Sequence, residues 1–203
     1  MSAFKRIFCV IGAIFCVEPM CRADTLRVQV VDAKTGAPLR ATVNAIGKLP
    51  RLESALTNDQ GVAVLDLPSL QHVFAIVKTS THGDRCLGEE ETKDANLVIR
   101  MEPLLRVFGV VRDPDGNPLA QATVKVIYRE DPKCRIGFSR PEEVTGTAGE
   151  YVLRNVDVSR DFTIVIRHDQ YREAELAKSQ LLAAPAGASP NTKELDITLE
   201  PRP

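Results

Sequence analysis

Tryptophan is absent from the 203-residue chain, and tyrosine occurs only at Tyr128, Tyr151 and Tyr171. Sugar-binding platforms usually rest on exposed aromatic rings with large amphipathic faces, so this poverty counts against glycan recognition as the main role. Histidine is equally scarce. His72, His82 and His168 nowhere stand at the i, i+4 spacing of a helical zinc site, and no Gly-x-Ser-x-Gly elbow or phosphate-cradling glycine loop occurs. Asp113, Asp115 and Asn117 alternate as calcium ligands do, but the remaining ligands and the closing glutamate of an EF-hand loop are missing. Turn-forming residues account for the same letters. The expectation is a non-catalytic chain with no cofactor and no metal.

Long hydrophobic runs are also lacking. Ile7 to Val17 is apolar for only 11 residues, whereas a helix needs roughly 20 to cross a bilayer. Lys5 and Arg6 precede this run, Pro19 follows it, and Cys21-Arg22-Ala23 supplies small residues at the positions a signal peptidase reads. Residues 1–23 therefore read as a secretory signal cleaved after Ala23. A lipid-modified cysteine wants a small residue before it, and Cys16 and Cys21 follow Phe15 and Met20. Nothing after residue 23 is apolar enough to span a membrane, so an exported product is predicted, periplasmic or extracellular.

Excess charge of one sign is missing as well. Losing Lys5, Arg6, Glu18 and Arg22 from 26 basic and 27 acidic side chains leaves a net charge of about −3. No basic stripe remains to follow a phosphate backbone, so nucleic acid is not an expected partner. Of five cysteines, Cys86 and Cys134 lie outside the signal. An oxidising compartment favours one disulfide between them over two independent thiols.

What the chain does have is a duplication. Leu26-Arg-Val-Gln-Val-Val-Asp and Thr35-Gly-Ala-Pro-Leu-Arg-Ala-Thr-Val43 are answered by Leu105-Arg-Val-Phe-Gly-Val-Val and Asp115-Gly-Asn-Pro-Leu-Ala-Gln-Ala-Thr-Val124. Thr57 to Leu65 is answered by Thr145 to Leu153, Phe74-Ala-Ile-Val by Phe162-Thr-Ile-Val, and Ile99-Arg-Met-Glu-Pro by Ile197-Thr-Leu-Glu-Pro. Ordered matches of this kind predict two copies of one fold, at residues 24–103 and 104–203.

Short alternating segments predict strands in each copy. The first copy offers Arg27–Asp32, Thr42–Ile46, Val62–Leu67, Val73–Lys78 and Asn96–Met101. The second offers Arg106–Arg112, Ala122–Tyr128, Glu150–Arg154, Phe162–Arg167, Tyr171–Ala177 and Leu195–Glu200. Gly36, Pro38, Gly61, Gly116, Pro118 and Gly149 are read as structural turn residues. Six or seven strands per copy, with turns every 8 to 12 residues, argue for a β-sandwich in each. Leu181–Thr192, with Pro185 and Pro190, reads as a surface loop. Glu102-Pro103 meets Leu104-Leu105 without a flexible linker, which predicts a semi-rigid pair of domains.

Val110 to Val124, followed by Thr145 to Leu153, resembles the carboxypeptidase regulatory-like domain, whose fold is a transthyretin-like (prealbumin-like) sandwich. The resemblance covers residues 105–201 well and residues 26–103 more weakly. It implies a transthyretin-like sandwich in each copy and a companion role, because no peptidase domain accompanies them. The transthyretin-like hydrolases of purine breakdown share the fold, but their Tyr-Arg-Gly-Ser ending is absent. Asp32 to Leu39 and Thr57 to Gly61 are also similar to the B-type repeats of Gram-positive collagen adhesins. However, Leu26–Asp32 has no lysine for an isopeptide bond, and the strand after Gly61 has no glutamate to assist one. The expected role is a structural or protein-interaction module at a bacterial envelope, recognising an envelope or extracellular protein. The alternative is a carbohydrate-binding module.

Overall fold

A computed structural model describes residues 24–47, 52–130, 140–187 and 189–203. The segment read as a signal, its cleavage point at Ala23, and Cys134 lie outside the described residues.

Within the first copy, β1 (Asp24–Asp32), β4 (Val62–Leu67) and β7 (Asn96–Met101) form one sheet in the order β4-β1-β7. The facing sheet has the order β3-β2-β5-β6, from β2 (Thr42–Ile46), β3 (Leu52–Leu56), β5 (Phe74–Lys78) and β6 (Arg85–Leu87). β1 pairs with β4 antiparallel and with β7 parallel. A one-turn helix, α1 (Glu89–Thr92), links β6 to β7. The alternation that marks these strands is the packing pattern: Leu26, Val28 and Val30 of β1 are wholly buried and meet Val43, Val77 and Leu65 in one core. Burial of such side chains stabilises by about 1.5–3 kcal/mol each.

The second copy repeats the plan. β8 (Leu105–Arg112), β9 (Thr123–Tyr128), β10 (Glu142–Val144), β11 (Glu150–Val156), β12 (Phe162–Arg167) and β13 (Ala174–Ala177) correspond to β1 through β6. After helix α2 (Lys178–Ala183), two short segments, β14 (Thr192–Glu194) and β15 (Ile197–Thr198), take the place of β7 beside β8. The sheets run β11-β8-β14 and β10-β9-β12-β13, around a separate core that includes Val107, Val124, Leu153, Ile164 and Leu199. The chain is thus built of β-sandwiches.

Two turn positions show why the duplication preserves its letters. Gly61 and Gly149 have φ of +72° and +70°, and a Cβ on either would come 2.5 Å from the carbonyl oxygen of Val30 or Val111. Glycine alone meets both demands. Beside them, Thr57 Oγ1 donates to Leu39 O (2.7 Å) and accepts from Ala41 N (2.8 Å). Thr145 Oγ1 does the same with Leu119 O (2.7 Å) and Ala122 N (2.8 Å). Both hydroxyls are buried and tie the β3–β4 and β10–β11 corners to the chain entering β2 and β9.

The structure departs from the sequence reading in the region 181–192. The stretch read as a loop contains the end of α2, and Leu181 is fully buried in the second core. The strand expected at Leu195–Glu200 is interrupted. Leu195 N donates to Phe108 O, and Asp196 Oδ1 accepts from Val110 N at 2.8 Å. β3, β6 and β10 were not anticipated.

Candidate functional site

Two places concentrate polar or apolar groups beyond what the cores need. The first is the joint between the copies. Segment 79–84, between β5 and β6, folds against the connecting residues: Gly83 N donates to Glu102 O (3.1 Å) and Leu104 N to Thr81 O (3.0 Å). His82 is buried there and donates through Nε2 to Asp32 Oδ2 (2.8 Å), while Nδ1 faces Thr81 Oγ1 (2.8 Å). Asp32 Oδ1 also receives the N–H groups of Lys34 (2.8 Å) and Thr35 (2.7 Å). His82, and after it the Thr35 N–H, hold the Asp32 carboxyl well below the usual carboxylate range.

Across the joint stands the turn after β11. Tyr128 Oη accepts from Asp157 N (2.8 Å), and the Arg160 guanidinium lies 4.8 Å above the Tyr128 ring. Burial pushes the Tyr128 hydroxyl up to about 12. Asp157 is itself buried and accepts from Ser159 N (2.9 Å) and Oγ (2.6 Å). A Cβ at Gly83 would come 2.3 Å from Asp157 Oδ1, so the first copy's backbone lies flush against the second copy's carboxylate. A cleft of about 200 Å³ between the copies takes in His82, Asp84, Tyr128, Asp157 and Arg160. Burial raises the Asp84 carboxyl, and Asp157 adds to this, while Lys78 and Arg160 oppose it. The joint thus combines a Thr81–His82–Asp32 chain of hydrogen bonds from the first copy with the Asp157 and Arg160 turn of the second.

The second place is the edge of the first sandwich. β3 ends its sheet, and no described strand pairs with its far side. Its outward row is Leu52, Ser54 and Leu56. Leu52 faces Ile46, and Ile46 faces Phe74, giving a cross-strand row that is 60%, 36% and 40% exposed; Leu56 is 61% exposed. Thr57 N–H donates inward to Ala41 O at 2.9 Å. The strand alternation then turns the N–H and C=O of Ala55 and Glu53 toward β2 and sends those of Leu52, Ser54 and Leu56 to the open side.

The equivalent edge in the second copy is built differently. Arg140, Pro141, Glu142, Glu143 and Val144 stand where the first copy has Leu52, Glu53, Ser54, Ala55 and Leu56. Pro141 has no N–H to give Val126, although Val126 N donates to Pro141 O (2.9 Å), so β10 starts late. Glu142 pairs with Lys125. Charge and proline are the usual guards of a sheet edge.

The other residues singled out in the sequence are dispersed. Gly36 and Gly116 have φ of +72° and +88° in their turns. Pro38 and Pro118 bridge to Val31 and Arg112. Asp113 Oδ1 and Oδ2 accept from Asn117 N (2.8 Å) and Nδ2 (2.9 Å), so the carboxylate is used up within its own turn. Among the described residues no cluster of three or more His, Cys, Asp or Glu is placed to hold a metal ion. Cys86 is disulfide-bonded. Gly83, Asp157 and β3 escaped the sequence reading; the pairing of Thr57 with Thr145 was the signal that could have located the edge beside β3.

No family model matches the chain, and no curated protein matches it. Among solved structures, the minor pilin GBS52 of Streptococcus agalactiae is similar at 12% identity and a TM-score of 0.42, over 88% of this chain and 96% of that one. A streptococcal ancillary pilin is similar at 10% identity and a TM-score of 0.43, over 92% of this chain and 64% of that one. Chlorocatechol 1,2-dioxygenase of Pseudomonas putida is similar at 15% identity and a TM-score of 0.38. The match covers 47% of this chain and 59% of the dioxygenase. Likenesses of this grade carry no argument about activity or partners. Among the described residues no helix is long and apolar enough to cross a membrane.

Proposed function

We propose that this is an exported, non-catalytic β-sandwich protein that acts as a structural or protein-interaction module at a bacterial cell envelope. The observation that carries the reading is the open edge of β3, where unpaired backbone groups and an exposed apolar row coincide. A partner strand added there would gain main-chain hydrogen bonds for affinity and side-chain contacts for selectivity. The basic start and apolar run at residues 5–17 support export. Tyr128 and Tyr151 are buried, which removes two of the three tyrosines from use in a glycan platform.

In-cell cross-linking of the tagged full chain in its native host, read by mass spectrometry, tests this. One recurrent envelope or extracellular protein among the products is expected. Products no richer than those of an unrelated exported control would overturn the reading, and carbohydrate binding would take its place.

A further inference from the structure

The geometry points to β3 as a self-pairing edge, through which two copies of this chain join antiparallel about a two-fold axis at Ser54. This rests on the reading of β3 as an interaction edge and names its occupant.

The strand Leu52-Glu-Ser-Ala-Leu56 is close to a palindrome in the property that matters. With Ser54 opposite its own counterpart, Leu52 lies opposite the partner's Leu56 and Leu56 opposite the partner's Leu52. Both outward leucines then cover each other in each half. The same register sets Glu53 opposite Ala55 of the partner subunit, so no two carboxylates meet. Shifting it by two residues would place the two Glu53 side chains face to face, and shifting it by one would turn one leucine row to the wrong face. The centred register also uses the right backbone groups. Leu52, Ser54 and Leu56 direct their N–H and C=O outward, and these become the hydrogen-bonded pairs of an antiparallel ladder. The two four-stranded sheets would join into one, with the Phe74, Ile46 and Leu52 row continued by Leu56 of the partner subunit.

The second copy supplies the control. The same operation on β10 would set Glu142 against its own counterpart and bring Arg140 and Pro141 to the seam. One chain thus carries two versions of a single edge, one guarded and one open. The other edges of the first sandwich carry charge, at Asp66 on β4, Arg85 on β6 and Arg100 on β7. Among the described residues of these edges, β3 alone presents an outward row without any.

Strands of five residues make a small interface, so reversible association with Kd of about 10 µM to 1 mM is expected rather than a permanent dimer. The test is sedimentation equilibrium of the purified full chain between about 5 µM and 1 mM. The mass should rise from one chain to two. Ser54→Lys and Ser54→Glu should each weaken association at least tenfold, because like charges would meet on the axis, and an equimolar mixture of the two should associate again. Ser54→Pro removes only an outward N–H and should also stay monomeric. Circular dichroism unchanged from the parent shows that these variants fold. A parent chain that stays monomeric throughout, or Ser54→Lys chains that associate as the parent does, would overturn the inference. If the parent is monomeric while cross-links from β3 reach another protein in cells, self-pairing fails and the interaction-edge reading stands.

Discussion

Thr57 and Thr145 show how much a single hydroxyl can carry when the fold is written twice. Each closes a corner by accepting one backbone N–H and donating to one carbonyl. Replacing either with valine keeps the volume and strands both groups, a cost of about 1–3 kcal/mol. Urea unfolding should show each midpoint lowered with an unchanged slope. Two charged residues at the joint should respond to pH in opposite senses. Asp32 has its pKa lowered, so the native state binds fewer protons than the unfolded chain, and its stabilisation is present above about pH 4 and lost as pH falls. Asp84 has its pKa raised, so its ionisation opposes folding, and stability falls as pH rises through the window above about pH 4. Asp32→Asn should therefore lower stability at pH 7 and converge with the parent in acid. Asp84→Asn should raise it at pH 7 and converge in acid. Thermal unfolding from acid to neutral pH reads both; a shift of the same sign for the two would contradict the assigned environments. At this scale the sequence was legible where geometry forces one residue type, as at Gly61 and Gly149. It was silent at Gly83, whose reason is a carboxylate more than 70 residues away at Asp157.

Elements divide by where their stabilisation comes from. β1 and β8 are rich in valine and bury alternate positions, while β5 and β12 bury the apolar runs Ala75–Val77 and Ile164–Ile166, and these patterns mark all four in the sequence. β3 and β10 have no buried residue at all, and β6 has three residues, so hydrophobic periodicity had nothing to report. These strands exist because β2, β5 and β9 offer them a ladder. α2 was hidden for a different reason. Ala183 to Pro190 dominates the stretch, and only Leu181 turns inward. Leu181→Ala should cost about 2–5 kcal/mol, as a large core truncation does. Leu56→Ala, on the open edge, should stay within about 0.5 kcal/mol. Near-equal losses at the two positions would mean that β3 is covered and the edge is not open.

For the molecule as a whole, the sandwiches are coupled by backbone contact at Gly83 and by the Asp157 and Arg160 turn beside Tyr128. We propose Cys134 as the partner of the disulfide-bonded Cys86, because it is the other cysteine outside the segment that reads as an export signal. A non-reduced peptide map of the exported protein should contain the linked pair, and reduction should lower stability by about 2–4 kcal/mol. Two separate alkylated thiols would refute the assignment. The most direct measurement places a photo-cross-linking amino acid at Leu56 in one strain and at the equivalent Val144 in another, in the native host. The account predicts protein adducts from Leu56 and none above background from Val144. Equal yields from the two positions, or adducts from Val144 alone, would contradict it.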